Sequence, residues 1–170
     1  MAQVHNVMIR GLNSMLIQAP FISTPADIKD FVDYALSFCV LIGEHHNTEE
    51  VLVFPLIDDA TGVPGIMDKN VVQHEAFIPK LHDFKIYLSQ IKLGVRKYDE
   101  KKFVTLLNSF AGLMVEHLID EVRLFEEIEK YTIDWKMING RTVKHAVETA
   151  DKVSVCFYVY PECVAHVSLE

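Results

Sequence analysis

Cysteine is scarce in this chain, and basic residues are in deficit. Cys39, Cys156 and Cys163 are odd in number and have no C-x-x-C spacing, which excludes a disulfide framework or a zinc ribbon as the organising device. Sixteen Lys and Arg face 24 Asp and Glu, a net charge of -8. Nucleic acid is therefore excluded as a partner, because neutralising phosphates needs a basic face. No apolar run reaches the roughly 18 uninterrupted residues of a membrane span. Met1-Ala2-Gln3-Val4-His5 lacks the basic start and apolar stretch of a secretory signal. These absences predict a reduced, cytoplasmic protein with no membrane partner. What is abundant is apolar surface: half of the 170 residues, enough for one domain with a single sizeable core.

Glycine and proline are also few, 7 and 6, and they gather at breaks: Pro20 to Pro25, Gly62 to Gly65, and Gly94. Between the breaks lie four stretches with helical apolar spacing, about 3–18, 26–58, 66–93 and 99–131. Pro25 suits a helix start. Pro55 is placed to end or kink the second stretch near Leu56-Ile57, and Pro79 to bend or split the third. Short connections between long helices predict an all-α, up-down-up-down four-helix bundle over 1–133. Residues 134–170 form a C-terminal extension, with a short helix interrupted at Asn139-Gly140. An extended segment, Val153 to Tyr160, follows; such a lone strand needs a partner, which points to a homodimer through 153–160.

Written at alternating 3 and 4 spacing, the second stretch gives Phe31, Ala35, Phe38, Ile42, His45, Glu49, Leu52 and Leu56. The fourth gives Phe103, Leu107, Phe110, Met114, His117, Glu121, Leu124 and Ile128. The first reads His5, Ile9, Leu12, Leu16. The third reads Met67, Val71, His74, Ile78, Leu81, then drifts to Phe84 and Leu88. Every stripe is apolar except for one histidine, and in two of them a glutamate follows four residues later. A buried carboxylate is costly unless it is paired or binds a metal, and no Lys or Arg lies on these stripes near the polar residues. His and Glu at i and i+4 share one helix face. Oxygen and imidazole donors in a bundle core suit iron or manganese better than a thiolate-seeking metal.

A rise of about 1.5 Å per residue sets His74 and His117 at one level, roughly 27–29 Å from the turn between their helices. Glu49 and His74 also match across the 59–66 turn. His5 and His45 match less well, at about 14 and 19 residues from their breaks, unless the second helix overhangs the first.

His5 in Val4-His5-Asn6-Val7-Met8-Ile9-Arg10, His45-His46-Asn47-Thr48-Glu49-Glu50 ahead of Leu52-Val53-Phe54-Pro55, Gln73-His74-Glu75-Ala76-Phe77, and Glu116-His117-Leu118-Ile119-Asp120-Glu121 together resemble the hemerythrin-like, or HHE cation-binding, family over about 3–130. The resemblance implies a four-helix bundle with two irons bridged by carboxylates. Glu49 and Glu121 would then bridge, with His5, His45, His74 and His117 as terminal ligands. Each iron would have about four protein ligands, leaving about two octahedral positions for O2 or another small molecule.

Two departures stand out. Oxygen-carrying members have a second histidine one turn further along the third helix, where this chain has Ile78. His5 also lies close to the chain start, where fraying is expected. The stripe and the Phe-Pro spacing favour His45 with Glu49 over His46 with Glu50. His46 and Glu50 are then flanking groups, a carboxylate being able to hold the outer nitrogen of an imidazole. His82, His145 and His166 read as solvated, and Tyr34 and Tyr87 as flank residues within reach of a cavity. Three uses follow: O2 activation to oxidise a small organic substrate, O2, NO or iron binding or sensing, or a metal that staples the fold.

Overall fold

A computed structural model describes residues 2–149; the 153–160 segment and its expected dimer contact lie outside the described residues. The chain begins with α1 (Ala2–Gln18), extended by a 3-10 turn (Ala19–Phe21). α2 (Pro25–Thr48) continues through one π-helical turn (Glu49–Val53) into α3 (Phe54–Thr61). α4 (Asp68–Lys92), α5 (Glu100–Ile128) and α6 (Trp135–Thr149) complete the order. Among the described residues there is no strand. The protein is the all-α helical bundle that the stripes predict.

Local chemistry sets the boundaries. Thr24 Oγ1 accepts from the Asp27 N–H at 3.2 Å with Pro25 in the first turn of α2, a capped start whose missing donor costs nothing. Asp99 caps α5 in the same way, accepting from the Lys102 N–H at 2.8 Å. Gly62 closes α3 at φ 67, a left-handed geometry that suits glycine. The prolines do less than expected: Pro55 sits in the first turn of α3, and α4 stays continuous across Pro79. Pro79 and Glu75, whose carbonyl loses its helical donor there, both face solvent. α6 likewise runs unbroken through Asn139-Gly140.

Two apolar clusters fill the interior. The larger joins α1, α2, α4 and α5 through residues such as Met8, Phe38, Phe84 and Phe110. The smaller gathers Val53, Phe54, Ile57, Met67, Ile128 and Ile138, so α6 packs onto the bundle through Ile138. α5 has the length and composition of a membrane span. Its apolar stripe, however, from Phe103 to Met114, is buried in the larger cluster.

The stripes of α2 and α5 fall where the spacing puts them as far as Glu49 and Glu121. Beyond Glu49 the next buried positions are Val53, Phe54 and Ile57, with Leu52 and Leu56 half-buried. The π turn accounts for this, since one extra residue in a turn advances the phase by one position. In α1 Met8 and Met15 are buried in place of Ile9 and Leu16, and in α4 Asn70 and Phe77 in place of Val71 and Ile78. α1 approaches α2 closely at Gly11, where an added Cβ would lie 2.6 Å from the Phe38 ring.

Candidate metal centre

Between the two apolar clusters lies a buried layer of polar side chains. His5, His45, Glu49, His74, His117 and Glu121, the six residues singled out by the stripes, are each 0–3% exposed and all lie in this layer. His5 and His45 meet despite the mismatch in depth, with ring centroids 5.5 Å apart. The 3-10 turn after α1, with its longer rise per residue, takes up part of the difference.

The donors form two sets that share Glu49. His5, His45, Glu49 and Glu121 make the first; His46, Glu49, His74 and His117 make the second. In the first, His5 Nε2 lies 3.0 Å from Glu121 Oε2 and His45 Nε2 lies 2.9 Å from Glu49 Oε1. In the second, His74 Nε2 is 3.7 Å from Glu49 Oε2 and 3.1 Å from His117 Nε2.

His46 is the residue that the stripes passed over. It is 1% exposed, and its ring lies 4.6 Å from that of His74 and 5.0 Å from that of His117. His45 and His46 are consecutive on one helix, so they diverge by about 100° and each serves a different set. The nitrogen absent at Ile78 is thus supplied from α2, and the second set holds three imidazoles. Ile78 itself is half-buried against the larger apolar cluster. The signal available in the sequence was the adjacent histidine pair followed at i+3 and i+4 by glutamates.

The outer nitrogens fix the state of these rings. His46 Nδ1 donates to the Ile42 carbonyl at 2.8 Å, and His74 Nδ1 to Glu50 Oε1 at 2.7 Å. His117 Nδ1 faces Gln73 Oε1 at 3.4 Å, with that amide oriented by its own N–H donating to Asp120 at 3.0 Å. Carbonyl and carboxylate oxygens only accept, so each Nδ1 carries the proton and each neutral ring turns the Nε2 lone pair inward. Burial holds His46 and His74 below the ordinary imidazole range and His117 down to about 3, which keeps the rings neutral. His46 Nε2 has no hydrogen-bond partner among the described residues. Three lone pairs converging on one point repel each other unless a cation sits between them.

The carboxylates agree. Burial pushes the Glu49 carboxyl up to about 8, and Glu121 rises through burial and the neighbouring charge of Glu49. Among the described residues neither pairs with Lys or Arg, and their ion-pair partners are imidazoles. Two buried carboxylates with imidazole nitrogens around them suit a bound divalent cation. Phe77 packs on the rings of His46, His74 and His117, and Phe54 stacks on His74. Tyr34 is partly exposed, and Tyr87 Oη exchanges hydrogen bonds with the Asp99 backbone at the far end of α4. Neither tyrosine reaches the donors. His82 is exposed and His145 half-buried, and neither belongs to a donor set.

The hemerythrin HHE cation-binding domain matches residues 1–129. The chain belongs to that family. A curated relative, the dimeric xanthone biosynthesis cluster protein R11 of Cryptosporiopsis sp. (strain 8999), is 33% identical over 146 residues. That alignment covers 85% of this chain and 55% of the relative, so the chain spans about half the relative's length. No solved structure matches the chain. The family is a cation-binding one, and the donors gathered in this layer fit a metal ion.

Proposed function

We propose that this hemerythrin-like chain holds two irons bridged by carboxylate and uses them to bind and activate O2, oxidising a small organic molecule. The observation that carries this reading is that Glu49 belongs to both four-residue donor sets, the position of a bridging ligand. Glu121 lies in the first set with His5 at 3.0 Å and bridges if its second oxygen turns toward the other metal. Iron held there would supply the redox electrons and about two open octahedral positions per ion. The protein's own part is to keep the imidazoles of His46, His74 and His117 neutral with Nε2 turned inward, and to exclude water with Phe54 and Phe77. The relative from a xanthone biosynthesis cluster supports an organic substrate.

A second reading, reversible binding or sensing of O2 or NO, is favoured by the 0–3% exposure of the ligands, a sealed setting that suits a diatomic gas. Protein expressed in iron-supplemented medium is expected to carry about two irons per chain, and a folded, metal-free product would sink the proposal. Glu49→Ala is expected to lose both ions. The optical spectrum of the reduced protein on exposure to O2 separates the two uses. A band that persists means binding, and one that decays faster with an organic substrate means oxidation.

A further inference from the structure

We propose that Glu50 is a positioning residue for the metal held by His74, acting through the outer nitrogen of that ring; this rests on the metal-binding reading above. Glu50 follows a ligand directly and its side chain is 41% exposed, so its ordinary reading is a solvated surface carboxylate. The geometry differs from that reading. Glu50 Oε1 accepts from His74 Nδ1 at 2.7 Å, on a ring that is 1% exposed. Residues 49 and 50 therefore address opposite nitrogens of one imidazole, Glu49 Oε2 lying 3.7 Å from His74 Nε2. Both residues belong to the π turn, which re-aims side chains relative to an uninterrupted helix.

The three rings of the second donor set are anchored unequally. His46 donates to a backbone carbonyl and His117 faces a neutral amide at 3.4 Å. His74 alone among these three donates directly to a carboxylate. A charged acceptor makes a shorter and stronger hydrogen bond, and one on the outer nitrogen fixes the ring's tautomer and raises the basicity of the inner nitrogen. Glu50 thereby places a negative charge from the protein surface in direct contact with one half of a buried centre. The ring that Glu50 holds, His74, belongs to the second donor set and not to the first.

Cobalt(II) titration of the metal-free full chain, read by visible absorption, tests this in wild type, Glu50→Ala and Glu50→Gln. Glu50→Ala is expected to weaken one of the two bound cobalt ions by about 10–100-fold and spare the other. Glu50→Gln, which keeps an acceptor but removes the charge, should lose less. In the zinc-loaded protein the His74 Nδ1 proton should give a slowly exchanging downfield resonance that is shifted in Glu50→Gln and absent in Glu50→Ala. Unchanged affinities with an unmoved resonance would overturn the proposal, as would equal losses at both metals. If Glu50→Ala does not fold, Glu50→Gln alone decides: wild-type affinity with an unmoved resonance refutes the role. Wild-type protein that takes up no cobalt refutes the metal reading, and the role of Glu50 falls with it.

Discussion

His45, His46, His74 and His117 all sit below the ordinary imidazole range, chiefly because burial disfavours their cations, with His45 at about 4 and His117 at about 3. Unfolding raises these groups back toward 6.5, so below that pH the unfolded chain binds more protons and the fold loses stability. Glu49 and Glu121 run the other way. Their raised values favour the fold at low pH, and that contribution is lost as pH climbs from 4.5, through about 8 for Glu49. Four imidazoles outweigh two carboxylates in the acid window. The melting temperature of the metal-free protein is expected to fall between pH 7 and pH 5, and a flat or rising profile would contradict the burial argument. His46 offers a sharper test at the same scale. His46→Leu keeps the volume and removes one of three imidazoles from a single donor set, so metal content should drop from about two ions per chain to about one. Undiminished content measured by elemental analysis would return His46 to a flanking role.

At the scale of the helices, α1 and α2 approach each other closely at one point. Gly11 allows it, because any Cβ there would meet the Phe38 ring at 2.6 Å. Phe38 is 4% exposed and packed in the core, so it has little room to give. Gly11→Ala is expected to cost about 1–3 kcal/mol by overpacking, read as a lower denaturation midpoint with unchanged slope. It should also weaken the His5 half of the metal site more than the half built by α2, α4 and α5. The π turn carries a second expectation. Deleting the exposed Val51 removes the extra residue of the turn, so the segment should return to α-helical phase with Val53 and Ile57 still on the smaller core; a melting temperature close to wild type is expected, and a large loss would contradict this account of the phase change. These two features also mark the limit of what could be read from residue types alone. Apolar spacing located α2 and α5 almost residue by residue, because their stripes are long and every mismatch would bury a charge. It missed the phase change after Glu49, since a π turn has the same composition as an α turn. It misplaced the inner positions of α1 and α4 by one, where flanking apolar residues such as Ile9, Leu16, Val71 and Ile78 offered an equally good stripe. His46 was passed over for a related reason. A strict seam admits one residue per turn, whereas a centre with two donor sets draws on both sides of the seam.

At the scale of the whole molecule, the polar layer separates two apolar clusters and is the weakest level of the core when no metal is bound. A bound metal adds to folding free energy by mass action, by about 4 kcal/mol for one site when free metal exceeds Kd a thousandfold. Stripping the metal with a chelator should therefore lower the melting temperature by several degrees. It should also raise amide exchange first in α1, whose one donor to the layer is His5. Uniform loss of protection across all helices would instead mean that the layer opens only with global unfolding.

His5 and Glu121, 3.0 Å apart, are 116 residues apart in the chain (121 minus 5). On a ribosome adding about 5–20 residues per second, the first waits on the order of ten seconds for the second to be made. The first donor set is therefore completed only after α1, α2 and α4 have been made. Until then a growing chain offers a metal only the remaining donors, and the full layer exists only once α5 has been made.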